Sequence, residues 1–235
     1  MSGERKLPAQ STPGEVQAFL DRVAAMPTAQ PASGRGRLIF ALDATASRQP
    51  TWDRACRLQG EMFQETERLG GLEVQLVYYR GFGECRASSW HADGGALLRA
   101  MTAVSCLAGE TQLAKVLNHA LTETRKQKVA ALVFVGDAME ENIDRLGKLA
   151  GELGLLGLPC FLFHEGHDRL SLEAFRQIAR LSGGACCRFD ASSARELRDL
   201  LSAVAVYAAG GRRALADFSA RRGGVVPQLT HQLGK

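Results

Sequence analysis

The hydrophobic and polar positions of this chain fall into two alternating patterns. Short, almost wholly apolar runs, such as LIFAL at 38–42 and VAALVFV at 129–135, are typical of strands that are buried on both faces. Between such runs, apolar residues recur every three or four positions, as they do on the buried face of an amphipathic helix. The alternation continues from about Arg37 to Ala208 and predicts a mostly parallel sheet with helices on both faces.

The pattern predicts six strands and, from them, the fold class. The strands are LIFAL (38–42), LEVQLVYY (72–79), GECRASSW (83–90), VAALVFV (129–135), PCFLF (159–163) and ACCRF (185–189). GECRASSW has the weakest apolar pattern and is therefore expected at an edge of the sheet. The fold class is a three-layer, doubly wound (Rossmann-like) α/β fold. Such folds bind ligands beyond the carboxyl ends of their strands, at the point where the strand order reverses.

Composition divides the chain into three parts. Residues 1–34 are rich in Pro, Ala, Ser, Gly and Thr and contain one short apolar face, which predicts a short amphipathic helix followed by a linker. We expect this helix to dock on the main domain or to bind a partner. The main domain is predicted to span residues 35–209. Residues 210–235 form a basic tail, expected to be solvated or to bind an acidic partner weakly.

The formal net charge is +4, and the basic tail carries all of this excess. The rest of the chain is balanced, which argues against a specific nucleic-acid surface on the main domain. No run approaches ~18 apolar residues, and the first residues lack the apolar core of a signal peptide. We therefore expect a cytoplasmic protein that does not cross a membrane. The six cysteines are scattered without a CxxC pair and are expected to be reduced.

Side chains with oxygen donors follow the strands where a ligand would bind. They are Asp43, Thr45 and Ser47 after the first strand, Thr111 at a predicted helix start, and Asp137 after the most apolar strand. Hard divalent cations such as Mg²⁺ take oxygen ligands, so two carboxylates and three hydroxyls suit a magnesium site. Each residue taken alone would more often be a helix cap than a metal ligand. Their occurrence on three separate segments is what favours a metal site.

These five residues resemble a metal site of a known family. Asp43-x-Thr45-x-Ser47, Thr111 in a Gly-x-Thr-x-Leu context, and Asp137 after an apolar strand are similar to the metal-ion-dependent adhesion site (MIDAS) of von Willebrand factor type A (VWA) domains. The resemblance implies a six-stranded sheet with one short antiparallel edge strand, here GECRASSW. It also implies that the three hydroxyls bind the metal directly and that the two carboxylates act mainly through water. A carboxylate from a protein partner would complete the site.

The chain departs from that family at two places. Thr45 stands where the family usually has Ser, and Gly136-Asp137-Ala138 stands where it often has Thr-Asp-Gly. The resemblance implies a non-enzymatic module that binds a protein partner through Mg²⁺, or Mn²⁺ in its place, within an intracellular bacterial assembly. Intracellular members often work beside ATPases, so an ATPase is a further predicted partner. A structural module with a vestigial site is an alternative.

The enzymatic alternative is a magnesium-dependent phosphohydrolase of the haloacid dehalogenase type. Asp43 would be its nucleophile, and the acids of GDAMEE (136–141) would bind the metal. That class needs a second Asp two residues after the nucleophile, where Thr45 stands here. It also needs a lysine near the strand ends, whereas Lys128 precedes its strand and Lys115 lies inside a predicted helix.

One further cluster of polar residues is HEGHD at 164–168. Its His-x-x-His spacing falls short of the zinc signature, in which two histidines stand four positions apart on a helix. We therefore expect a loop in which Asp168 caps the next helix, and which contributes to the upper binding face.

Overall fold

A six-stranded sheet forms the centre of the molecule. The computed structural model describes residues 35–66, 71–189 and 194–222. The strands are β1 (Gly36–Asp43), β2 (Leu72–Arg80), β3 (Glu84–His91), β4 (Ala131–Gly136), β5 (Cys160–Glu165) and β6 (Ala185–Phe189). Their order is β3-β2-β1-β4-β5-β6, and every neighbouring pair is parallel except β2 and β3. The predicted fold class is confirmed, and the antiparallel edge strand is the one with the weakest apolar pattern.

Helices cover both faces of this sheet. They are a short 3₁₀ helix (Ala46–Arg48), α1 (Gln49–Thr66), α2 (Gly94–Thr102), α3 (Leu113–Lys126), α4 (Ile143–Leu155), α5 (Arg169–Leu181) and α6 (Ala194–Arg222). One hydrophobic cluster joins the sheet to α1, α2 and α6, and a second joins its other face to α3, α4 and α5. The layers are therefore helix, sheet, helix, as the sequence predicted.

β1 explains why the central strands have no polar face. All eight of its residues are buried. Leu38 and Phe40 belong to the hydrophobic cluster on one face, whereas Ile39 and Ala41 belong to the cluster on the other. Because helices cover both faces, the apolar run is continuous along the strand.

The strand order reverses between β1 and β4. β1 pairs with β2 on one side and with β4 on the other, and β4 continues outwards to β5. The connections that leave these two strands therefore run to opposite sides of the sheet and open a crevice between them. Asp43 is the last residue of β1, and Asp137 follows directly after β4. Both residues are thus placed at the point where this fold binds ligands.

The last helix extends beyond the predicted end of the main domain. α6 continues through position 209 to Arg222, and Gly211, with a φ of 69°, marks a kink inside it. Leu215 and Phe218 belong to the core cluster and are only 1% and 6% exposed. The first part of the predicted basic tail is therefore packed against the domain instead of being solvated. The apolar residues of this stretch, spaced three apart, repeat the helical period despite the arginines around them.

Two of the predicted regions lie outside the described residues. They are the amphipathic helix and linker predicted for residues 1–34, and residues 223–235 of the tail. Within the described ranges, none of the helices has the length and apolar character needed to cross a bilayer.

Candidate metal site

A cleft of about 280 Å³ opens at the carboxyl edge of the sheet, at the reversal between β1 and β4. The five residues singled out from the sequence all line it: Asp43, Thr45, Ser47, Thr111 and Asp137. Glu140 lines the same cleft and was not part of that set. The fold thus brings three separate segments of the chain to one small volume, which is the geometric condition for a shared ligand.

The loop after β1 leaves its hydroxyl groups available to the cleft. Asp43 accepts a hydrogen bond from the Thr45 backbone N–H, with 2.7 Å between nitrogen and Oδ1. Thr45 stands at the amino end of the 3₁₀ helix, but its side chain makes no capping hydrogen bond. Ser47 is exposed and donates to Oδ2 of Asp137 over 3.4 Å. Helix capping, the simplest structural explanation for these hydroxyls, is therefore not what they do here.

Asp43 is a buried negative charge with incomplete compensation. Its side chain is only 3% exposed, and burial raises its pKa; the nearby charge of Asp137 acts in the same direction. The hydrogen bonds from Thr45 oppose this rise. Tyr79 lies beside Asp43, and its hydroxyl is fully buried. Burial raises the pKa of Tyr79 well above its ordinary value, and the Asp43 charge adds to that rise. A bound cation would stabilise a carboxylate in this setting.

Thr111 is held in place by the loop that follows β4. Its hydroxyl donates to Oε2 of Glu140 over 3.1 Å and accepts from the Glu140 backbone N–H over 3.1 Å. A hydroxyl that gives its proton to a carboxylate keeps a lone pair for a metal, so Glu140 is suited to orient Thr111. Glu141 accepts from the backbone N–H groups of Leu113 and Ala114 at the start of α3. Because α3 begins at Leu113, Thr111 lies before the helix and does not cap it.

Arg48 brings a buried positive charge to the rim of the site. It is 3% exposed, its Nη1 lies 3.6 Å from Oδ2 of Asp137, and its Nη2 forms an ion pair with Glu165 at the end of β5. The hydroxyl of Thr51 also donates to Glu165. Sequence reasoning missed Arg48, because an arginine after three small residues looks like an exposed helix residue. Its burial is explained by two carboxylates that other strands supply, Glu165 at the end of β5 and Asp137 after β4.

The HEGHD segment, at the end of β5, contacts the backbone of the candidate site. His164 is fully buried, and burial lowers its pKa to about 4, so the ring is neutral near pH 7. Its Nε2 lies 3.1 Å from the backbone carbonyl oxygen of Asp137 and donates to it. Asp168 caps α5 by accepting from Leu170 N and Ser171 N, as expected from the sequence.

Among the described residues, no group of three or more His, Cys, Asp or Glu side chains could hold a metal ion. The candidate site therefore depends on its hydroxyl oxygens.

Neither lysine considered for a phosphohydrolase reaches the cleft lining. Lys115 Nζ donates to the Gly83 carbonyl over 2.6 Å and to Gln112 Oε1 over 2.8 Å. Lys128 precedes β4 and so lies towards the opposite edge of the sheet. Neither lysine is therefore placed to bind a phosphate group in the cleft.

Phe134 explains why glycine stands before Asp137. A Cβ atom at Gly136 would lie 2.7 Å from two ring atoms of Phe134. That ring cannot move aside easily, because it stacks on Tyr79 with 6.1 Å between centroids and meets the edge of Phe175 at 5.5 Å. The space that a threonine side chain would need here is thus taken by a core aromatic residue.

Replacing Gly136 with alanine is therefore expected to destabilise the protein by about 1–3 kcal/mol, since the added methyl group overpacks the core. Urea unfolding measures this change. Gly151→Ala is the matched control, because a Cβ there meets no atom within 4 Å. It should stabilise α4 by up to about 1 kcal/mol. Phe134→Leu should reduce the cost of Gly136→Ala; an equal cost in both backgrounds would contradict this account.

Comparison with known proteins supports the architecture. No family model matches this chain, and no curated protein matches its sequence. The VWA domain of SpRpn10 superposes with a TM-score of 0.56 at 14% identity, over 71% of this chain and 94% of that one. An aerotolerance-related membrane protein from Bacteroides fragilis gives 0.55 at 17% identity, over 71% and 98%. Proximal thread matrix protein 1 from the mussel byssus, with a zinc-occupied MIDAS motif, gives 0.57 at 13% identity, over 73% and 46%.

At these identities the likeness shows the fold, which is that of a VWA domain. This chain spans less than half of the length of the mussel protein. None of these three similarities supports an ATPase as partner, and that partner stays a prediction from the sequence.

Proposed function

We propose that this VWA-fold protein binds a protein partner through a divalent metal ion held in the cleft between β1 and β4. One observation carries the proposal: five oxygen-bearing side chains from three segments line one small cleft. In the loop after β1, the hydroxyl of Thr45 does not cap the 3₁₀ helix that follows it. The zinc-occupied site in the mussel protein supports a divalent ion at this position of the fold. The proposed role is binding, with no catalysis by the chain itself.

The residues present suit Mg²⁺, with Mn²⁺ able to replace it. Thr45, Ser47 and Thr111 would offer hydroxyl oxygens, and Asp43 and Asp137 would offer carboxylates, directly or through water. A bound ion would attract an anionic ligand, because few of its ligands are negatively charged. The partner is therefore proposed to contribute an aspartate or glutamate side chain. We propose that this occurs within an intracellular assembly.

Titration of Mn²⁺ and Mg²⁺ into the purified protein tests the metal part of this proposal. We expect saturable one-site binding of Mn²⁺ by calorimetry, and displacement of Mn²⁺ by Mg²⁺. At a free concentration of about 100 times Kd, the ion should stabilise the fold by about 2.7 kcal/mol, which raises the melting temperature. Absence of both heat and thermal shift would favour a structural module with a vestigial site. Steady hydrolysis of a generic phosphate ester that needs Asp43 would favour the phosphohydrolase.

A further inference from the structure

The turn between β2 and β3 holds a phenylalanine out in solvent. Phe82 is 82% exposed, although it is a large apolar residue. It is flanked by Gly81 and Gly83, whose φ angles of 58° and 109° lie in the left-handed region that glycine adopts without strain. The local sequence thus builds a tight turn whose single side chain points away from the core.

Hydrogen bonds hold this turn at both ends. The Gly81 carbonyl accepts from Glu110 N and from Gln112 Nε2, each over 3.2 Å. The Gly83 carbonyl accepts from Lys115 Nζ over 2.6 Å. Phe82 is therefore presented on a well-anchored backbone, so that little conformational entropy would be lost when a partner covers it.

The turn lies against the wall of the metal cleft. β2 runs parallel to β1, so the turn after β2 belongs to the same carboxyl edge as the cleft. Gly109 lines the cleft, and a Cβ atom on it would lie 2.2 Å from the Gly81 oxygen. Leu107, on the same loop as Gly109, is 46% exposed, and its N–H donates to the Ala44 carbonyl over 3.0 Å. Two exposed apolar side chains therefore flank one side of the candidate metal site.

We propose that Phe82, assisted by Leu107, is the apolar anchor of the surface that receives the partner. The occupant is a protein segment that supplies a carboxylate to the metal and an aromatic or aliphatic side chain a few residues away. Aromatic residues on a rigid backbone typically contribute most of the affinity of an interface. Three cations lie around this turn, Arg80, Arg86 and Lys115, against two carboxylates, Glu84 and Glu110. This excess of one positive charge favours a segment of net negative charge. This inference rests on the proposed function.

Selection from a displayed library of random short peptides with one fixed glutamate, in Mg²⁺, tests the inference without knowledge of the natural partner. The wild type should enrich peptides with an apolar residue at a constant distance from the glutamate. Phe82→Ser should lose that apolar preference and bind the selected peptide at least tenfold more weakly, equivalent to about 1.4 kcal/mol. Because Phe82 is mostly exposed, the melting temperature of this variant should match that of the wild type.

Leu155→Ser is the matched control, since Leu155 is 90% exposed at the end of α4, on the opposite edge of the sheet. It should keep the full preference. Enrichment of glutamate peptides without an apolar preference, or a preference that Phe82→Ser retains, would overturn this inference and leave the proposed function standing. Absence of any Mg²⁺-dependent selection would overturn both. A wild-type dimer that Phe82→Ser dissociates in sedimentation would assign the surface to a second copy of the chain and reject an acidic partner segment.

Discussion

Replacing Asp43 with asparagine is expected to weaken Mn²⁺ binding at least about a hundredfold, equivalent to about 2.7 kcal/mol, and to abolish metal-dependent partner binding. Asp43 is one of the two carboxylates in the proposed ligand set. Asparagine keeps its shape and an oxygen that can still accept the 2.7 Å hydrogen bond from Thr45 N. The loss should therefore come from the missing charge and not from a rearranged loop. Calorimetric titration of Mn²⁺ into wild type and variant measures it.

The same variant is expected to be at least as stable as the wild type when no metal is present. Because burial raises the pKa of Asp43 in the folded state, its ionised form lowers stability at pH values above that pKa. Removing the charge should therefore leave the melting temperature unchanged or raise it, by roughly 2–4 °C for each 1 kcal/mol recovered in a chain of this length.

Asp93→Asn is the matched control for this experiment. Asp93 is exposed, caps α2 by accepting from Ala96 N, and lies at the opposite edge of the sheet. Asparagine caps a helix about as well as aspartate, so neither metal binding nor stability should change appreciably. Undiminished Mn²⁺ binding by Asp43→Asn would refute the metal site. A clear drop in its melting temperature would show that the fold already compensates the Asp43 charge.

Replacing Arg48 with methionine is expected to destabilise the metal-free protein by about 3–5 kcal/mol. Arg48 is buried and pairs with Glu165, whose side chain is only 10% exposed. Without the guanidinium, Glu165 would remain as a buried charge that only the hydroxyl of Thr51 partly compensates. Chemical denaturation measures the loss. Glu165→Gln in the Arg48→Met background should recover much of it, because the orphaned charge is then removed.

The exposed ion pair between Arg176 and Glu173 provides the control for Arg48. Both side chains are about half or more exposed, so Arg176→Met should change the free energy of unfolding by less than about 0.5 kcal/mol. If Arg48→Met also changes the free energy of unfolding by less than this amount, the pairing of Arg48 with Glu165 contributes nothing to stability.

Mn²⁺ should bind the Arg48 variant on the order of tenfold more tightly, since a positive charge 3.6 Å from Asp137 opposes a second cation there.

The sequence was sufficient for the fold because its signals are local. The continuous apolar run of β1 and the helical spacing on α3 depend on which faces are buried, and each is visible within a few residues. The weak pattern of β3 likewise indicated an edge strand, which the structure confirms. The end of the main domain was less visible, since arginines around Leu215 and Phe218 concealed the apolar spacing of α6.

The sequence also indicated which residue types surround the cleft, because oxygen donors directly after parallel strands are brought to one edge by the topology. What it could not show is how those residues are held. Glu140 reaches Thr111 from another segment, and Arg48 meets Glu165 only because the 3₁₀ helix after β1 and the end of β5 lie at the same edge of the sheet.

Two further features depend on contacts between segments that are distant in the sequence. The Phe134 ring takes the space beside Gly136, so an unusual residue at that position follows from packing across the sheet. The two glycines that flank Phe82 build the turn that exposes it, but only the folded chain fixes this turn beside the cleft, through hydrogen bonds from Glu110 and Gln112 to Gly81. The hydrophobic pattern of a segment predicts which of its faces is buried, but not which side chains that face contacts. Side-chain contacts between segments depend on strand order and helix placement, and those exist only once the chain has folded.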